Sequence, residues 1–137
     1  MRTIKNILAA ISVALIVGFS QSAIADEFSF TFEWGDIPGC FNGDPNSVPN
    51  PIFTLSNVPA GATKIKMKMQ DRQVRRYDHG GGWIEYTGEN VIQPGAFTYR
   101  SPCPPGGTHT YEWTASVRDQ NNDTIAEAKA RLDYPLD

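Results

Sequence analysis

The sequence predicts an all-β protein: an antiparallel β-sandwich with few or no helices apart from an N-terminal signal peptide. Three observations carry this prediction. Apolar and polar residues alternate with a period of two over residues 28–34, 65–69 and 111–117. Gly, Pro, Asn and Asp gather between these runs, where a chain of short strands needs its turns. No stretch carries the 3.6-residue apolar period of a long amphipathic helix, and there is no internal repeat or coiled-coil heptad.

Taken in order, residues 1–25 read as a cleavable signal peptide. Arg2 and Lys5 give a positive start, residues 7–17 are apolar except for Ser12, and Ala23-Ile24-Ala25 is a small-x-small cleavage signal. The apolar run is too short to span a bilayer comfortably, so no membrane span is expected in the mature chain. No Cys follows the signal, which argues against a lipoprotein anchor. Cleavage after Ala25 and a periplasmic or secreted location are expected, with residues 26–137 as one small domain.

Phe28, Phe30, Phe32 and Trp34 alternate with polar residues and form the first strand. Residues 35–50 are rich in turn formers and read as a long loop; residues 51–55 form a short strand before the turn at residues 57–61. Ile65, Met67 and Met69 alternate with Lys64, Lys66 and Lys68, giving an amphipathic strand with a cationic outer face. A polar loop over residues 71–82 ends in Gly80-Gly81-Gly82, and residues 83–86 are short and strand-like. Pro102, Pro104 and Pro105 exclude helix or central strand from the next segment, because each fixes φ and lacks an N–H. From His109 the clearest strand begins, with Tyr111, Trp113, Ala115 and Val117 on its apolar face. After a turn at residues 120–123, the alanines of the tail favour helix. Their period of two and the preceding turn favour a hairpin strand, which is the reading adopted.

Charge and cysteine content bound the function. Loss of Arg2 and Lys5 takes the formal net charge from −3 to −5, which argues against non-specific binding of nucleic acid or an anionic membrane. Lys64, Lys66, Lys68, Arg72, Arg75 and Arg76 concentrate cations in one segment, expected to be a charged edge strand and loop that resist aggregation. Cys40 and Cys103 are the only cysteines. An oxidising compartment favours a disulfide between them over two buried thiols or a metal ligand, and its long loop would stabilise the fold by ~4 kcal/mol.

The stiff loop at residues 99–108 delivers His109 and Tyr111 to the start of a core strand, a common setting for binding groups. Imidazole and phenol groups at His79, His109 and Tyr111 are donors suited to phosphate or carboxylate oxygens, and Asp71 can orient a ligand or a histidine. The glycines after His79 would let backbone N–H groups approach an anion. Each residue also has a plainer role: His109 satisfied by loop carbonyls, Tyr111 a core aromatic, and Asp71 a turn cap. No His-x-His or His-x-x-x-His spacing supports a metal, and Ser101 lacks a Gly-x-Ser-x-Gly setting. Neither catalytic residues nor a cofactor are expected.

The segment SPCPPGGTHTYEW resembles the Gly-Pro-Cys-Pro-Pro…His-Arg-Tyr motif of the phosphatidylethanolamine-binding protein family, whose bacterial members are called Raf-kinase-inhibitor-like. FNGDPNSVPNPIFTLSNVPAGATKI is similar to the family's upstream run, and MQD at residues 69–71 falls at its Asp-Pro-Asp motif. The resemblance covers nearly all of residues 26–137. It implies a β-sandwich with a small pocket for anions such as a phospholipid head group. Carried over residue by residue, Asp71, His109 and Tyr111 match pocket positions, and Pro104 and Pro105 would shape the loop. Arg72, Gln73 and Thr110 depart from the motifs, and the family's His-Trp pair is broken: Trp83 follows Gly82, leaving His79 as the candidate imidazole and Trp83 as part of the wall. The expected function is therefore a non-enzymatic binding protein for a small anionic ligand. The competing reading is an immunoglobulin-like or polycystic-kidney-disease-like structural module, which GTHTYEWTASVRDQNND also resembles; such modules need no Pro-rich loop before that strand.

Overall fold

The computed structural model describes residues 14–15, 17–20, 26–40 and 44–135. The expected cleavage signal at residues 23–25 and most of the N-terminal apolar run lie outside the described residues, as do residues 41–43. Among the described residues every regular element is a strand: β1 (Ser29–Glu33), β2 (Ser47–Pro49), β3 (Ile52–Ser56), β4 (Lys64–Asp71), β5 (Gly81–Glu85), β6 (Val91–Ile92), β7 (Thr98–Arg100), β8 (His109–Arg118) and β9 (Thr124–Tyr134).

The strands form three antiparallel sheets, ordered β5-β4-β8-β9, β1-β3-β6 and β2-β7. Their apolar faces meet in one core, consistent with a sandwich-like fold. The alternation seen in β1 and β4 gives the expected pattern of buried and exposed residues. Trp113 is fully buried at the centre, with Tyr99 and Phe53 edge-on at ring separations of 5.1 and 5.3 Å. Such edge-to-face pairs add to the burial of their large apolar area.

Strand β2 and most of β7 fall where the sequence reads as loop, and β6 lies in a stretch for which the alternation predicts no element. Two or three residues are too few to set a period, and partners settle their conformation: Val48 pairs with Tyr99 and Phe53 with Ile92. Asn50 anchors this irregular side. Its side chain donates to the carbonyls of Pro51 and Gln93 and accepts from the N–H groups of Gly95, Ala96 and Phe97. Strand β9 runs in full register with β8 apart from one irregularity near Val117, so the ladder prevails over the helical preference of its alanines.

Two expectations change. First, β4 is not an edge strand, since β5 and β8 flank it on both sides. Its outward lysines therefore do not shield an open edge. Second, the polar face of β8 is not exposed throughout. Glu112 is buried, because Arg131, Arg72 and Lys129 reach over it from neighbouring segments, with N–O distances of 2.6, 3.7 and 3.9 Å. Cys40 and Cys103 form the expected disulfide, with Cα atoms 5.6 Å apart, in the ordinary range for such bridges. A disulfide fits an oxidising, extracytoplasmic compartment.

Candidate functional site

At one end of the core, where β4 finishes and β8 begins, a pocket of about 180 Å³ opens. Asp71 and Tyr111 are directly paired across this ladder, so the register alone places them side by side. Val74, Tyr77 and His79 come from the loop between β4 and β5; Cys103 and Pro105 come from the Pro-rich loop, and Pro45 completes the lining. The disulfide fastens the Pro-rich loop where it forms the pocket wall.

Asp71 is only 4% exposed, and both of its oxygens are engaged. Oδ1 accepts the backbone N–H groups of Gln73 and Val74 at 2.8 and 3.1 Å, capping the turn. Oδ2 accepts from Nδ1 of His109 at 2.8 Å. Burial pushes the Asp71 carboxyl up, but the bonds from His109, Gln73 and Val74 outweigh it and hold the group below its ordinary range. An ionised carboxylate is acceptor-only, so His109 carries its proton on Nδ1 and has Nε2 as its remaining polar atom. Asp71 thus fills both the capping and the histidine-orienting roles.

His79 is buried and is bound twice to Arg100. Its carbonyl accepts the Arg100 N–H, and its Nδ1 donates to the Arg100 carbonyl, both at 2.8 Å. These bonds join the loop to β7. Burial pulls the His79 pKa down, more than the bond to Arg100 and the nearby Asp71 and Asp78 raise it. With Nδ1 protonated and the ring neutral, Nε2 carries a lone pair. The ring stands edge-on to Tyr111 at 5.4 Å and beside Tyr77 at 4.6 Å.

Tyr111 is fully buried, and its hydroxyl has no hydrogen-bond partner among the described residues. Burial and the neighbouring Asp71 carboxylate push its ionisation well above the ordinary value. The backbone of Cys103 lies close enough to influence that ionisation, but no hydrogen bond of sound geometry forms with either neighbour. The phenol is a neutral donor in the wall of a pocket. Leaving such a group unsatisfied costs roughly 1–3 kcal/mol.

Of the residues singled out in the sequence, Asp71, His79 and Tyr111 line the pocket, while His109 is bonded to Asp71 without lining it. Trp83 does neither. It lies on the outer face of β5, 40% exposed, with Lys64 Nζ 4.7 Å from its ring centroid. Pro105 lines the pocket, and Pro104 is set back from it. The glycines after His79 serve packing rather than anion capture. The Gly80 N–H is bound by the Asp78 carboxylate, and a Cβ on Gly81 or Gly82 would collide with the Met67 carbonyl or the Phe97 side chain. Val74 and Tyr77 went unread because an apolar residue within a polar loop carries no period. Among the described residues, no three His, Cys, Asp or Glu side chains gather into a metal-like set.

Comparison of the chain with protein-family models, with curated proteins and with solved structures gives no match.

Proposed function

We propose that the protein is an exported, non-enzymatic binding protein of the phosphatidylethanolamine-binding type whose pocket takes a small anionic ligand, such as a phosphate or phospholipid head group. The observation that carries the reading is the buried, unpartnered Tyr111 hydroxyl in the wall of a pocket beside His79. A ligand oxygen accepting that O–H would relieve an unsatisfied donor, a gain available only in the bound state. His79 Nε2 can add a second contact, but only after it takes up a proton, since a lone pair does not donate to an anion. Anion binding is then coupled to protonation and strengthens on mild acidification. Asp71 holds His109 and the turn in place and touches the ligand weakly or not at all, because its oxygens are already used.

A thermal-shift titration with phosphate and phosphoethanolamine tests this. Wild type should melt higher as ligand rises, more so at pH 5.5 than at pH 7.5. Tyr111→Phe should retain the ligand-free stability, or gain up to about 1 kcal/mol by losing an unpaired hydroxyl, and should lose most of the ligand-induced shift. A shift that survives in Tyr111→Phe places the ligand elsewhere. No shift at all in wild type favours the structural-module reading.

A further inference from the structure

The outer face of the four-stranded sheet carries a second feature that the pocket leaves unexplained. Lys64, Lys66 and Lys68 stand in single file along β4, on a strand flanked on both sides. Alternate residues on a strand lie roughly 7 Å apart, so this is a straight row of evenly spaced cations. None of the three has an ion-pair partner among the described residues, although Glu85 and Glu127 lie on the same face. Glu112, the buried carboxylate beside the row, is already shared by Arg131, Arg72 and Lys129. The register adds Arg118 opposite Lys64, and it sets Lys129 two strands from Lys68, on the far side of Thr114.

The row lies between two shallow grooves. One, of about 330 Å³, runs along Lys66 and Lys68 to Trp83; the other, of about 340 Å³, runs from the same lysines to Thr114, Ser116 and Lys129. Trp83 is held under Lys64, Lys66 and Arg118 at 4.7, 5.7 and 5.9 Å, a fixed aromatic edge beside the cations. A central strand needs no charge to prevent edge pairing, and three unpaired like charges repel one another. The acidic chain as a whole disfavours polyanions, so this is a local, directional patch.

We propose that this face binds a linear acidic polysaccharide lying along β4. Carboxylates spaced along the polymer would meet the lysines, and its hydroxyls would meet Thr114, Ser116 and Gln70. Three features favour this partner. The straight row matches an extended chain, the disulfide points outside the cytoplasm, and among the described residues Trp83 is the one large apolar side chain directly beside the row, too little to anchor in lipid. The proposal is independent of the pocket.

Trp83 makes the test local, because Trp34 and Trp113 are 5% and 0% exposed. Acrylamide quenching of tryptophan fluorescence, measured on the full chain exported into an oxidising compartment, should fall when polygalacturonate is added. Binding should weaken as salt rises, and neutral dextran should have no effect. Lys66→Glu/Lys68→Glu should lower the affinity at least tenfold, by analogy with the worth of each lysine near an anionic surface. Lys66→Gln/Lys68→Gln supplies the same comparison if charge reversal disturbs folding, with about a tenfold loss expected. Unchanged affinity in the variants, or absence of protection at low salt, overturns the proposal. Tighter binding to single-stranded DNA or to phosphatidylglycerol vesicles than to polygalacturonate overturns the assignment to a polysaccharide.

Discussion

The end of the sheet that holds Asp71, His79, His109 and Tyr111 and the outer face that holds Lys64, Lys66 and Lys68 use polar groups in opposite ways. At the sheet end most polar atoms are bonded to another part of the protein, so the groups define structure; the Tyr111 hydroxyl and the Nε2 atoms of His79 and His109 are left without partners among the described residues. On the outer face the three lysines form no ion pair among the described residues, and Lys64 and Lys66 rest only over the Trp83 ring. There the charges add little to stability and are available to a partner. Mutation therefore has separable effects: changes to the bonded groups at the sheet end alter folding, whereas Tyr111→Phe and changes on the outer face alter binding.

The largest effect should come from Asp71→Ala. It strips two turn N–H groups and His109 of their acceptor, and is expected to cost about 2–4 kcal/mol in denaturant unfolding. Asp71→Asn keeps an oxygen for the turn and should cost less. Equal, small losses for both would mean that the network does not hold the pocket.

An intermediate effect is expected from pH. The folded pKa of His79 is depressed below its ordinary 6.5, so unfolding takes up a proton in that region. The contribution of His79 is complete above pH 6.5 and is lost as pH falls from there toward the folded value. Asp71 and Glu112 are held below their ordinary values of 3.8 and 4.5, so their contributions are complete above those values and are lost progressively as pH falls from there through each folded pKa. Plotted against pH, the unfolding free energy of wild type should fall in two stages. His79→Asn, which keeps a donor for the Arg100 carbonyl, should lose the upper one. The smallest effect belongs to the outer face, where Lys66→Gln should change stability by no more than about 0.5 kcal/mol.

Three strands were legible in the sequence from their alternation alone. Phe30 and Phe32, Ile65 to Met69, and Tyr111 to Val117 keep a period of two, because the apolar face of each strand lies against the core along its whole length. The disulfide followed from two cysteines in a chain expected to be exported, and the grouping of Asp71 with Tyr111 in one site from the resemblance; their direct pairing across the ladder did not. Other features depend on neighbours distant in sequence. Asn50 looks like any loop asparagine until its partners at Gln93 to Phe97 are in place. Glu112 looks solvent-facing until cations from two other segments close over it. The lysines of β4 look like edge protection until β5 pairs on the far side.

The central claim is that the pocket binds an anion together with a proton on His79. Nitrogen NMR of the histidine rings, recorded near pH 6.5 with and without phosphate, tests it most directly. The account predicts a neutral ring in the free protein, with its proton on Nδ1, and a doubly protonated ring once phosphate saturates the site. A proton on Nε2 in the free state, or a ring unchanged at saturation, would contradict it.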